Sequence, residues 1–214
     1  MLKKYLTRHI VVVLSAVNSL SAGTTQDIAF FKEMADRYVH ELPFQEKENP
    51  PILIMFSGTP AMGKTTLAKE LQQELQAIRI SRDEIRKLLR EKNLDLTYLD
   101  AITALILYES LKDIPNRTVI LDCSVDRKYD YCVEMAKDLG YRSYLIRLEL
   151  SKEETKRRII ARGEAVDVFL RDFELFYADY QALGSRVEPD FYYDNSKDFF
   201  KTTSLLIEDL KSLY

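Results

Sequence analysis

An α/β fold, with a mainly parallel five-stranded sheet covered by helices on both faces, is predicted by three features of the sequence. From Pro51 onward, apolar runs alternate with helical patterns. The runs are short and nearly unbroken, as strands buried on both faces of a parallel sheet must be. Between the first run and the first helical pattern stands a loop of fixed spacing, Gly58-Thr59-Pro60-Ala61-Met62-Gly63-Lys64-Thr65.

The elements follow in order. Ile52-Leu53-Ile54-Met55-Phe56 forms the heart of a first strand over residues 52–57. Leu67, Leu71 and Leu75 recur every four residues and predict a helix over 64–75. Further strands are expected at 77–81, 118–123, 143–150 and 190–193, and further helices at 82–90, 98–112, 127–139, 152–162, 168–183 and 197–213. Ser81 with Glu84, and Ser151 with Glu154, form capping boxes that open two of these helices. The aromatic group Phe191, Tyr192, Tyr193, Phe199 and Phe200 reads as packing, because few basic residues interleave it.

The chain divides at about residue 50. Thr24-Thr25-Gln26-Asp27 can cap an amphipathic helix over 25–41 whose apolar face is Ile28, Phe31, Met34, Ala35, Tyr38 and Val39. The polar stretch 41–51, with Pro43, Pro50 and Pro51, ends it. Residues 1–50 are thus an N-terminal extension and 51–214 the main domain. Segment 1–22 has the outline of a signal peptide: Lys3, Lys4 and Arg8, then Ile10-Val11-Val12-Val13-Leu14, then Ser21-Ala22-Gly23. Ser15, Asn18 and Ser19 dilute the apolar part, so a covering element and a cytoplasmic location are expected, with export as the alternative.

The 214 residues suffice for one sizeable core. A formal net charge of -3 gives no global field toward nucleic acid or anionic membranes. The two cysteines, Cys123 and Cys132, read as packing residues. No apolar run approaches a membrane span in length.

The loop satisfies the phosphate-binding spacing G-x-x-x-x-G-K-[ST], and it joins a strand to a helix as that chemistry requires. Glycines let successive N–H groups turn toward a phosphate. Residues 58–66, that is Gly58, Thr59, Pro60, Ala61, Met62, Gly63, Lys64, Thr65 and Thr66, are therefore expected to cradle ATP. Lys64 would reach the phosphates and the Thr65 hydroxyl would ligate Mg²⁺. Asp83, in the first turn after the second strand, is either favoured there by the helix dipole or a base for an attacking hydroxyl. Arg86, one turn on, suits an anionic part of the acceptor. Asp122 ends the third apolar run, where it suits a water on Mg²⁺ or an acceptor hydroxyl, or caps a turn. Arg158 and Arg162 share a helical face, with Arg157 and Arg171 nearby. They are either a solvated basic face or a lid that closes over transferring phosphate, a role strongest for Arg162.

Together these segments resemble P-loop kinases of the group containing polynucleotide 5′-hydroxyl kinases and zeta-toxin-type sugar-nucleotide kinases. The resemblance is carried by residues 58–66, Ile80-Ser81-Arg82-Asp83-Glu84-Ile85-Arg86, Val119-Ile120-Leu121-Asp122, Arg158-Ile159-Ile160-Ala161-Arg162-Gly163 and Val166-Asp167-Val168-Phe169-Leu170-Arg171. It implies a P-loop NTPase-type three-layer sandwich with a helical lid. It also implies that Asp83 is the base, Arg86 holds the acceptor, and Arg162 contacts transferring phosphate. Two positions depart from the pattern. Ala61 stands where the group often has glycine, and Cys123-Ser124-Val125 replaces a segment that often holds Asn.

The expected activity is ATP-dependent, Mg²⁺-assisted transfer of the γ-phosphate to a hydroxyl. A small molecule is favoured over nucleic acid as acceptor, with a nucleic-acid end, sugar nucleotide, antibiotic, small alcohol or protein all open. An ATPase or nucleotide switch, or a toxin-like binding protein without an organic acceptor, is the alternative.

Overall fold

The computed structural model describes residues 51–113, 117–163 and 165–213, with Glu33 as a single helical residue before them. The signal-like segment 1–22 and, Glu33 apart, the helix expected over 25–41 lie outside the described residues. The chain falls into two compact units, one containing Ile80–Ile114 and the other Gln45–Arg79 with Pro115–Tyr214.

The second unit holds most of the sheet. All six residues of β1 (Ile52–Ser57) are buried, which explains the unbroken apolar run. β2 is Ile78–Ser81, β3 Val119–Ser124, β4 Arg142–Glu149 and β5 Phe191–Asp194. The strand order is β2-β3-β1-β4-β5, and β1 pairs in parallel with both β3 and β4, as β4 does with β5. The N–H of Ile78 donates to the Thr118 carbonyl at 2.9 Å. Each predicted strand is present, with ends within a residue of those expected.

The helices are α1 (Lys64–Leu75), α2 (Arg82–Glu91), α3 (Leu99–Asp113), α4 (Tyr129–Asp138), α5 (Lys152–Arg162), α6 (Val166–Arg171), α7 (Phe173–Gly184) and α8 (Phe199–Lys211). Alternation along the strands sorts the core. Ile52, Ile54 and Phe56 of β1 pack with Leu67 and Leu71 of α1 and Leu206 of α8. Each such side chain contributes about 1.5–3 kcal/mol on burial. α4 packs on β4 and buries Cys132, Met135 and Ala136. Both cysteines are buried and outside any disulfide, as packing residues should be, and burial pushes the Cys132 thiol up to about 12.

The helix expected over 168–183 is two helices, α6 and α7, separated at Asp172 (φ −94°, ψ 3°). The apolar spacing continues across the break and so hides it. The break serves packing: Phe173 is fully buried in a small second core with Ala61 and Ile159.

The described part of the first unit is mainly a helical pair. The Ser81 hydroxyl accepts the Glu84 N–H at 3.4 Å, so the capping box does open α2, and Ile85 and Leu89 on one face are buried. A 3₁₀ turn, Leu96–Tyr98, starts where the Asp95 carboxylate accepts the Thr97 N–H at 2.8 Å. α3 follows and packs on α2. Among the described residues no helix is long and apolar enough to cross a membrane.

Candidate active site

The loop leaves the end of β1 at Gly58 and enters α1 at Gly63. Gly58 has φ +154° and Gly63 φ +95°, and Gly63 caps α1 with no side-chain hydrogen bond to its first-turn amides. Those amides are thereby left for an anion, which the helix dipole favours. Ala61 also takes a left-handed conformation, φ +68°. Its methyl group explains why alanine stands there: it is buried against Ile159 of α5 and Phe173 of α7, joining the loop to the helices expected as a lid.

Lys64 folds back over the loop, its Nζ donating to the carbonyls of Gly58 and Thr59 at 2.7 Å each. Burial pushes the ammonium down from 10.5 to about 8, and the charge of Arg162 adds to the shift. Asp126, Cys123 and Asp122 oppose it. Arg162, at the exposed end of α5, is thus close enough for Lys64 to feel, and it has no ion pair among the described residues.

The sign of this shift gives a testable pH dependence. Phosphate favours the protonated lysine, so nucleotide affinity should hold below about pH 8 and fall above it as the empty loop deprotonates, by at most about tenfold per unit. Calorimetric titrations between pH 7 and 10 would read this, with Lys64→Arg expected to flatten the profile. Stability moves oppositely. The unfolded chain binds the extra proton between about 8 and 10.5, so this group adds stability as pH rises through that window.

The Thr65 hydroxyl donates to Asp122 Oδ1 at 3.0 Å, and Arg79 Nη1 donates to Asp122 Oδ2 at 2.7 Å. Asp122 and Arg79 are both buried. Breaking such a pair by removing one partner costs about 3–5 kcal/mol, so Arg79 is required wherever Asp122 is kept. With its hydrogen directed at the carboxylate, the Thr65 oxygen keeps its lone pairs for a hard cation. This hydroxyl–carboxylate pair is an oxygen donor set that would suit a hard cation such as Mg²⁺.

Asp126 was not indicated by the sequence. Its Oδ2 accepts the Gly58 N–H at 3.3 Å and the Ser124 hydroxyl at 2.7 Å, while Oδ1 is buried with no partner among the described residues. Asn195, in the turn after β5, was also missed. Its Nδ2 donates to the Met62 carbonyl at 2.6 Å. A Cβ on Gly63 would lie 2.5 Å from that Nδ2. Gly63→Ala therefore meets a collision as well as a left-handed φ. It should cost about 1–3 kcal/mol by denaturant titration and abolish nucleotide binding.

The expected lid arginines separate. Arg157 and Arg158 both bind Glu154, holding that carboxyl down to about 2, and Arg158 Nη2 also donates to the Asn195 carbonyl at 3.2 Å. Arg171 is paired with its neighbour Asp172. Lys152 and Lys156 share Glu174. Most of the basic run is thus a neutralised surface, and Arg162 stands apart from it.

In the first unit, Asp83 lies in the opening turn of α2 and its carboxylate is 73% exposed. Arg86 on the next turn pairs with it. The structure therefore gathers Lys64, Thr65, Asp122 and Arg162 in one unit, and joins Asp83 to Arg86 in the other.

A phosphate loop closed by its own lysine, set between a central parallel strand and a helix, defines a P-loop nucleotide-binding α/β domain. The chain belongs to the family described as AAA domain, which it matches over residues 53–183. By sequence, no curated protein matches it. Solved structures share the fold. The Streptococcus pneumoniae PezAT toxin–antitoxin structure is 19% identical over 83% of this chain and 80% of that one, with a TM-score of 0.58. A putative kinase from Chloroflexus aurantiacus is 16% identical over 77% and 98%, TM-score 0.53. The Mycobacterium tuberculosis APS kinase CysC is 14% identical over 76% and 99%, TM-score 0.50.

Proposed function

We propose that the chain is an ATP-dependent kinase that moves the γ-phosphoryl group of ATP to a hydroxyl. The observation that carries this is the loop: Lys64 enclosed on the Gly58 and Thr59 carbonyls, with the Thr65–Asp122 pair beside it. An incoming triphosphate draws the Lys64 ammonium from those carbonyls to its own oxygens, exchanging neutral acceptors for charged ones. Arg162 supplies a second cation where charge develops during transfer. Mg²⁺ on Thr65 would neutralise the β- and γ-oxygens when bound.

Asp83 is the base in this reading. A carboxylate in the first turn of α2 takes the proton from the attacking hydroxyl, and Arg86 holds the acceptor beside it. The sequence segments that resemble polynucleotide kinases and zeta toxins support this role. The fold neighbours named as kinases agree with phosphoryl transfer as the reaction class. A small molecule or sugar nucleotide is preferred as acceptor, since the net charge of -3 offers a nucleic acid no general attraction.

The test is incubation of the purified chain with γ-labelled ATP, Mg²⁺ and a panel of hydroxyl compounds, with products weighed by mass spectrometry. Label appearing on an acceptor supports the kinase. Release of inorganic phosphate at the same rate with and without every acceptor would favour an ATPase or switch.

A further inference from the structure

The phosphate loop is held from outside at a point that the motif itself does not specify. Asn195 Nδ2 donates to the Met62 carbonyl, 133 residues away in sequence, at 2.6 Å. The peptide joining Met62 to Gly63 is planar and trans, so its C=O and N–H point in opposite directions. Holding the Met62 oxygen toward Asn195 turns the Gly63 N–H the other way, away from Asn195. Gly63, at φ +95°, leaves this plane freer to turn than any other residue would, since glycine has the widest freedom of φ.

Asn195 is itself fixed by two contacts. Its N–H donates to the Glu149 carbonyl at the end of β4 at 3.0 Å. Its carbonyl accepts Arg158 Nη2 at 3.2 Å, and Arg158 Nε is anchored on Glu154 Oε1 at 2.9 Å. Glu154 and Arg158 both belong to α5, the helix that ends in Arg162. A continuous chain of hydrogen bonds thus runs from the helix bearing Arg162, through Asn195, to the loop's backbone.

We propose that Arg158 and Asn195 form a strap that orients the Met62–Gly63 peptide for phosphate and ties the Arg162 helix to the loop. Arg158 is then a positioning residue rather than a group that holds the acceptor. Arg162, one turn further along α5, is the arginine left to meet the nucleotide. The strap rests on the nucleotide-binding reading of this loop.

The experiment titrates a nonhydrolysable ATP analogue with Mg²⁺ into the full chain and its variants by calorimetry, with thermal unfolding recorded alongside. Asn195→Asp keeps the side-chain shape but replaces the donor with an acceptor facing the Met62 oxygen. It should weaken affinity about tenfold, as should Asn195→Ala. Arg158→Met should weaken it less, and the Arg158→Met/Asn195→Asp double variant no more than Asn195→Asp alone, because both act through one link. If Asn195→Ala does not fold, Asn195→Asp and Asn195→Ser carry the comparison.

Unchanged affinity in the Asn195 variants, whatever their melting temperature, overturns the strap while leaving the nucleotide site standing. Strictly additive losses also overturn it, since they would separate Arg158 from the loop. Failure of the unmodified chain to bind the analogue would instead strike the underlying reading.

Discussion

Lys64→Met should cut phosphoryl transfer by about 10³-fold or more while leaving the fold intact. The lysine is the cation enclosed in the loop, hydrogen-bonded to two of its carbonyls. Its contribution grows as charge builds on the transferring oxygens, so the loss should fall on kcat as well as on nucleotide affinity. Methionine retains the unbranched stem and most of its packing. It also removes a desolvation cost, because burial already lowers the Lys64 ammonium to about 8. The melting temperature should therefore stay close to that of the unmodified chain. Steady-state kinetics beside a thermal melt would separate lost chemistry from lost structure.

Asp83→Asn should lower kcat by about 10²–10⁴-fold with little change in ATP affinity. Asparagine fits the same first-turn position of α2 but cannot take a proton from a hydroxyl. Its loss of charge removes the pairing with Arg86, a contact in which the carboxylate is largely exposed. That pairing adds little stability, so the effect should be catalytic. The readout is kcat with the best acceptor from the panel, together with the Kd of a nonhydrolysable ATP analogue. Near-normal transfer by Asp83→Asn would remove this aspartate from the base role.

The parts of the molecule that the sequence exposes are those written locally. The loop motif occupies eight consecutive residues, and each strand announces itself as an apolar run, so these were legible. The capping boxes at Ser81 and Ser151 were equally so, since their partners lie three residues away. The supporting residues are different in kind. Asp126 acts 68 residues from Gly58, and Asn195 acts 133 residues from Met62. No periodicity links such positions before the sheet brings β1, β3 and β5 into one unit.

Arg79 left a usable trace. It is a cation inside a strand whose four residues are all buried, and a charge in that setting demands an acid, here Asp122. Asp172 left a weaker one, because the apolar spacing runs through the break between α6 and α7 without interruption. Ala61 shows how a departure from a pattern gains a reason only in three dimensions. The methyl group that looks like a cost in a left-handed turn is a contact with Ile159 and Phe173.

The central claim is that the loop around Lys64 is a receptor for a nucleoside triphosphate. Titrating MgATP into the folded chain by calorimetry, with Lys64→Met as the control, tests it most directly. Saturable one-to-one binding by the unmodified chain, weakened at least about tenfold by Lys64→Met, is the result expected from loss of a charge-assisted contact. Absence of any heat of binding in folded protein, or equal affinity in the two proteins, would contradict it.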